Sequence, residues 1–238
     1  MQLSNIFKKL IAKERVSFDE ALFVYNNASL SQMMFFGNLL RKIIIPENYV
    51  TYIIDRNINY TNICFSNCLF CNFCKSQKSQ LAYTLYFDDL KPKIDELILA
   101  GGNQILLQGG MNPKLNLNYY KNLFIEIKKN YPSLKLHALS PSEIVFLAKK
   151  EKISFKETIK ILQDSGLNSL PGGGAEILSD RVREILSPYK CTTNEWLNVM
   201  HEAHKLNITT SATMMFGHIE TIKERIQHLL TLRDLQSQ

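Results

Sequence analysis

The sequence predicts an α/β fold: a partial (β/α) barrel of the TIM type, preceded by an N-terminal helical extension. Three observations carry that prediction. Beyond Pro46, short apolar and β-branched runs alternate with helical stretches about five times, the pattern of βα units on a parallel sheet. The short runs read as strands buried on both faces, as parallel strands commonly are. The unusual residues gather where those strands end: four cysteines after the first, Gln108-Gly109-Gly110 after the second, Pro171-Gly172-Gly173-Gly174 after the fourth, and Gly217-His218 after the fifth. In (β/α) barrels that rim is where ligands bind.

The elements follow in order. Residues 1–46 read as helical. Ser17 and Glu20 form a capping box ahead of Ala21, Leu22 and Tyr25, and Ser29 or Ser31 caps a second helix carrying Met33, Met34, Leu39 and Leu40. Arg41-Lys42 suits that helix's C-terminus. This stretch is expected to be an appended unit, with residues 47–238 forming the main domain. Tyr49 to Asn62 reads as the first strand. Asp89 caps a helix through Ala100, with Pro92 in its first turn and Leu90, Ile94, Leu97 and Ile98 as its buried stripe. Gln104 to Gln108 is the second strand, and Tyr119, Tyr120, Leu123, Phe124 and Ile127 face the next helix inward. Leu134 to Leu139 is the third strand. Ser140-Pro141-x-Glu143 opens a helix with a capping box, and Ser154-x-x-Glu157 opens another. Leu167 to Leu170 is the fourth strand. Helices follow near Asp180 to Leu186 and from the Thr192-x-x-Glu195 box to Leu206. Thr209 to Phe216 is the fifth strand, and Thr221-x-x-Glu224 starts the last helix.

Composition bounds the function. The 238 residues are 45% hydrophobic and 21% charged, ordinary for a globular protein. No apolar run reaches the roughly 18 residues of a membrane span. The N-terminal MQLSNIFKKLIAKERVS is broken by charge and lacks a signal peptide's apolar core, although it can form an amphipathic helix. The net charge of +6 comes from scattered Lys and Arg, without the interleaved aromatic clusters of a nucleic-acid surface. No nucleic-acid partner is expected. Free thiols and a low-potential cluster point to a reducing compartment, the cytoplasm.

The chemistry lies in Asn62–Lys75, NICFSNCLFCNFCK, which holds four of the five cysteines. Clustered cysteines in a reducing compartment mean metal before disulfides. Cys64, Cys68 and Cys71 are spaced C-x-x-x-C-x-x-C. Three thiolates on one loop hold three irons of a 4Fe–4S cluster and leave the fourth iron open. An open iron is what S-adenosylmethionine (SAM) chelates through its amino and carboxylate groups. Phe70 can lie against the adenine. The competing reading is a structural zinc site that adds Cys74 as fourth thiolate; with three ligands, Cys74 is a bystander. The glycines of Gln108-Gly109-Gly110 let backbone approach a ligand such as the SAM ammonium, or simply make a turn. Glu176, after the glycine triplet, can hydrogen-bond a ribose or cap a helix. His218, near Glu220, reads as structural or catalytic. Asp55, Arg56, Asn57, Asn59 and Tyr60 put polarity on the first strand; some of it must face a cavity, with the parity open. Cys191 reads as a small apolar residue.

The segments RNINYTNICFSNCLFCNF, QGGMNP, LHALSPSEI, LPGGGAEILSDRVR and TTSATMMFGHIET together resemble the radical SAM enzymes of menaquinone biosynthesis, most of all the dehypoxanthine futalosine cyclases, also called cyclic dehypoxanthinyl futalosine synthases. The likeness runs from about Phe18 to the end. Aminofutalosine synthases and the deazaflavin-forming FO synthases share the layout. RNINYTN suits the cyclase or FO synthase, PGGGAEIL a futalosine-pathway enzyme, and SATMMFGHIET the cyclase. The resemblance implies a barrel of the radical SAM kind, with Cys64, Cys68 and Cys71 on the cluster. It implies that Phe70, Gln108, Gly109 and Gly110 line the SAM site, and that Glu176 and His218 meet SAM or substrate. The implied substrate is a small nucleoside. A 5′-deoxyadenosyl radical takes hydrogen from its ribose, and the carbon radical closes onto the attached benzoate ring. A reducing donor such as flavodoxin or ferredoxin is implied as partner. Cys74-Lys75 stands where relatives carry an aromatic and arginine, so no shielding or anchoring role carries over to it. The chain stops after about five βα units where a full barrel has eight. The expectation is therefore a fragment, inactive or poorly soluble unless a second polypeptide supplies the rest. A remnant without catalysis, or a zinc-binding module, is the alternative of another class.

Overall fold

The computed structural model describes residues Met1–Gln238. In chain order it contains α1 (Leu3–Ile11), α2 (Phe18–Asn27), α3 (Leu30–Ile44), β1 (Asp55–Asn59), α4 (Phe87–Leu99), β2 (Gln104–Gln108), α5 (Leu117–Asn130) and β3 (Lys135–Ala138). There follow α6 (Pro141–Glu151), α7 (Phe155–Asp164), β4 (Ser169–Leu170), α8 (Asp180–Leu186), α9 (Thr193–Lys205), β5 (Thr209–Thr210) and α10 (Ile222–Gln236). Packing divides the chain into two compact units, Ile53–Gly217 and Met1–Tyr52 with His218–Gln238.

In the smaller unit, Ser17 and Glu20 close their capping box, Ser17 N donating to the carboxylate at 2.7 Å. Ser29, not Ser31, caps α3 in a box with Gln32. Ile6 and Phe7 of α1 are buried, and the Phe7 ring stacks on Phe36 at 3.7 Å. Thr221 and Glu224 close the box that opens α10, and Arg233 donates to the Val16 carbonyl at 2.7 Å.

The larger unit is a five-stranded parallel sheet in the order β1-β2-β3-β4-β5 with helices between the strands. It is an α/β, partial TIM-type sheet that does not close into a barrel. The strands are shorter than β-propensity alone suggests. The run expected from Tyr49 to Asn62 pairs only over Asp55–Asn59, because β2 offers five residues to pair with. The fifth pairs only at Thr209 and Thr210. Burial also differs from expectation, since only one face is packed. Ile58, Ile105, Leu107, Leu136, Ala138 and Leu170 are at most 2% exposed. Arg56, on that side, donates to the Lys93 carbonyl and pairs with Glu96 of α4. The opposite face carries Asn57, Asn59, Gln104, Gln108, His137 and Ser169, partly or fully open. Such groups stay hydrated or partnered because burying them bare costs a few kcal/mol each. The parity on β1 is thereby settled: the asparagines face the open side.

Helix α4 begins earlier than Asp89. Asp89 is its third residue and takes the Tyr86 backbone N–H on its carboxylate at 2.8 Å. Pro92 therefore sits in the second turn, where its missing N–H removes a helix hydrogen bond.

Candidate functional site

The cysteine loop leaves β1 and is closed at its base by backbone and by Asn62. Asn62 Nδ2 donates to Leu81 O at 2.8 Å, its Oδ1 accepts from Tyr83 N at 2.9 Å, and Lys75 N donates to Asn62 O at 2.8 Å. Within the loop, Asn67 takes a left-handed φ of 47°, a conformation asparagine tolerates better than most residues. Two bonds pin the loop to the scaffold. Leu69 N donates to Leu186 O of α8 at 2.9 Å, and Phe65 N to Met111 O at 3.3 Å.

Ser66 Oγ lies 3.1 Å from Cys64 Sγ and 3.2 Å from Cys68 Sγ, tying two of the three predicted ligands together. Cys64 Sγ also accepts the backbone N–H groups of Met111 at 3.3 Å and Ser66 at 3.5 Å. Hydrogen-bond donors around a ligating sulfur orient it, so this donor set fits a cluster-bound cysteine. Burial pushes the Cys68 thiol up, against the pull of nearby Lys190. Cys71 N donates to Cys68 O at 3.1 Å, which keeps the third cysteine in the same turn. The Cys74 thiol instead donates to the Cys64 carbonyl at 3.1 Å, and burial raises its pKa. No three His, Cys, Asp or Glu side chains converge as a ligand set in this structure, so neither the three-thiolate nor the four-thiolate site is preformed.

A cavity of about 210 Å³ opens beside Cys64, lined also by Ser66, Phe73, Gln108, Gly109 and Lys190. Asn59 from β1 and Gly173 and Gly174 from the glycine triplet also line it. The paired glycines do more than admit a ligand. A Cβ on Gly109 would lie 2.7 Å from the Tyr60 ring, and one on Gly110 would strike the Ile63 carbonyl and come within 2.8 Å of Cys64 Cβ. Their bareness lets the turn after β2 nest against the cysteine loop. Gln108 Nε2 donates to Leu139 O at 3.2 Å.

Glu176 and Phe70 meet through a residue the sequence reading did not single out. Lys190 Nζ lies 2.6 Å from Glu176 Oε1 and 5.4 Å from the Phe70 ring centre. Burial works to lower the Lys190 pKa, but Glu176 and Cys68 outweigh it and the net is upward, so the ammonium stays charged. Nothing in the spacing marks Lys190; it precedes Cys191 in an ordinary connection. Glu143 was also missed, for a different reason. Half of its capping role is real, since Ser140 Oγ accepts from Glu143 N at 3.4 Å. Its carboxylate, however, is buried and takes Ser140 Oγ–H at 2.6 Å, Gly109 N–H at 3.2 Å and the Tyr60 hydroxyl. Burial raises its pKa to about 7 against those hydrogen bonds. A capping assignment accounts for the residue in sequence and so hides its second use.

His218 belongs to the smaller unit. Its Nδ1 lies 3.0 Å from the Glu220 carboxylate, which also holds Arg225 at 2.5 Å.

Comparison with known proteins identifies the architecture. The family model described as the Radical SAM superfamily matches residues 58–232. A 5-amino-6-(D-ribitylamino)uracil–L-tyrosine 4-hydroxyphenyl transferase of Methanococcoides burtonii is 43% identical over 187 residues, covering 79% of this chain and 51% of that protein. A cyclic dehypoxanthine futalosine synthase of Halalkalibacterium halodurans is 36% identical over 238 residues, covering 100% of this chain and 64% of its own length. The chain thus spans between half and two thirds of these relatives. In structure it is similar to methylornithine synthase, with a TM-score of 0.74 at 14% identity over 96% of this chain and 64% of that one. A maturase of the [FeFe]-hydrogenase gives 0.72 at 17% identity over 98% and 51%. The sheet order, the cysteine loop on its first strand and the matched span have one explanation: the chain belongs to the radical SAM superfamily, whose enzymes work with a 4Fe–4S cluster and S-adenosylmethionine.

Proposed function

We propose that Cys64, Cys68 and Cys71 hold the cluster and that the chain is the SAM-cleaving part of a dehypoxanthine futalosine cyclase of menaquinone biosynthesis. Bound there, the reduced cluster and SAM would supply a 5′-deoxyadenosyl radical able to take hydrogen from the substrate's ribose. The chain's own residues orient and shield. Ser66 holds the Cys64 and Cys68 sulfurs in place, and the Met111 N–H holds that of Cys64. Gln108 and the Gly109 backbone line the SAM cavity, with Gly110 behind them. Lys190 is the cation for the SAM carboxylate and Glu176 the acceptor for its hydroxyls. The rings of Phe70 and Phe73 cover the cofactor edge and keep water from a radical that reacts indiscriminately. Asn57, Asn59, His137 and Ser169 offer the nucleoside a polar floor. The observation that carries this reading is the donor set on Cys64 Sγ beside the Gly109–Gly110 turn. A reductant of flavodoxin or ferredoxin type supplies the electron, in the cytoplasm.

A second reading follows from the Methanococcoides burtonii relative: a transferase joining the hydroxyphenyl group of tyrosine to a ribitylaminouracil. Anaerobic reconstitution with iron and sulfide, followed by reduction with SAM, tests both. Formation of 5′-deoxyadenosine supports the radical step, and mass spectrometry with each substrate separates cyclase from transferase. Alanine at Cys64, Cys68 or Cys71 should abolish iron binding, whereas alanine at Cys74 should leave it. Correctly folded protein that binds neither iron nor sulfide ends the proposal.

A further inference from the structure

We propose that Arg183 is a positioning residue that presets the Glu176–Lys190 pair for the SAM molecule; this rests on the cofactor reading above. Arg183 lies on α8 and is 4% exposed. Its fork is spent on two chain segments. Nη1 donates to Gly174 O at 2.9 Å and Ala175 O at 2.7 Å; Nε and Nη2 donate to Cys191 O at 2.9 and 2.5 Å. The first segment leads directly into Glu176, and the second directly follows Lys190. The guanidinium therefore clamps the two backbones whose next side chains meet at 2.6 Å.

The clamp has strain to hold. Gly174 has φ +77° and Glu176 φ +42°, the latter a left-handed conformation that is costly for a residue with a Cβ. Such conformations persist where surrounding bonds over-determine them. Here one planar group with five N–H donors spans carbonyls on both sides, a geometry a lysine ammonium does not reproduce. Apart from a longer bond from Nη2 to Cys191 Sγ at 3.4 Å, the donors go to carbonyls and so fix backbone. Trp196 Nε1, 3.3 Å from Gly173 O, secures the same turn from α9.

The experiment uses the full chain, anaerobically reconstituted, carrying Arg183→Gln or the milder Arg183→Lys, each alone and combined with Lys190→Met. SAM affinity is read by equilibrium dialysis. Backbone exchange at 174–176 and 190–191 and acetylation of Lys190 are read by mass spectrometry without cofactor. Arg183→Gln should weaken SAM binding about tenfold, the size of one charge-assisted hydrogen bond, and should add nothing once Lys190 is methionine. Exchange should quicken in those two segments only, and Lys190 should become reactive; Arg183→Lys should fall between. A merely structural role lowers the melting temperature and weakens SAM binding by the same factor in both backgrounds, and that result overturns the proposal. Unchanged exchange and acetylation in the variants overturns it as well. Should the unsubstituted chain bind no SAM, the cofactor reading falls by itself, and the clamp stands or falls on the exchange and acetylation.

Discussion

Glu143 shows how one residue can satisfy two demands. As a capping residue it completes the turn that starts α6; as a buried carboxylate it joins Tyr60, Gly109 and Ser140 beside the cavity next to Cys64. Tyr120 OH extends the network, donating to Tyr60 OH at 3.2 Å. With burial lifting its pKa from 4.5 to about 7, the folded state keeps a proton that the unfolded chain releases. Below about pH 4.5 both states hold the proton and the shift has no effect. As pH rises through the window to about 7, stability drains away, by about 3 kcal/mol at most from this group. Glu143→Gln keeps acceptor and shape without the charge. The stability difference between wild type and variant, measured by urea unfolding at intervals from pH 4 to 8, should therefore move in the variant's favour as pH rises. A difference that stays flat across the window would mean that the Glu143 carboxyl binds its proton equally well in the folded and unfolded chains.

At the scale of elements, the loop and the β2 turn are one assembly. Gly110 N donates to Thr61 O at 2.9 Å, and the space a side chain would fill is taken by the Ile63 carbonyl. Backbone cannot yield as a flexible side-chain tip can, so Gly110→Ala should cost about 2 kcal/mol. It should also lower iron retention after reconstitution, because the displaced atoms adjoin Cys64. Thermal unfolding and iron analysis check both effects; full iron retention at wild-type stability would show that the turn gives way freely. The glycines were legible as a turn, but not as the seat of the cysteine loop. That contact joins residues far apart in sequence, and no local spacing encodes it.

For the sheet as a whole, pairing is uneven. The β1–β2 ladder runs over five residues and β2–β3 over four, while β3–β4 pairs at one position and β4–β5 at two. Local opening follows the least-supported hydrogen bonds. Amide exchange should be slowest in Gln104–Gln108, which is paired on both sides, and fastest in Thr209–Thr210, as hydrogen-exchange mass spectrometry can measure. Equal protection across all five strands would contradict this gradient. No helix is long and apolar enough to cross a membrane.

From residue pattern alone came the α/β class, the parallel order of βα units, most helix starts and the cysteine loop. Each depends on chemistry between near neighbours: a cap three residues from its partner, a period of two or 3.6, thiols within one turn. Only the tertiary structure decided where strands stop, which face of the sheet stays polar, that Lys190 and Glu143 line the cavity, and that Arg183 joins the backbones of Gly174, Ala175 and Cys191. A strand extends no further than its partner. A buried charge persists only where distant groups meet it, and the chain brings those groups together by folding.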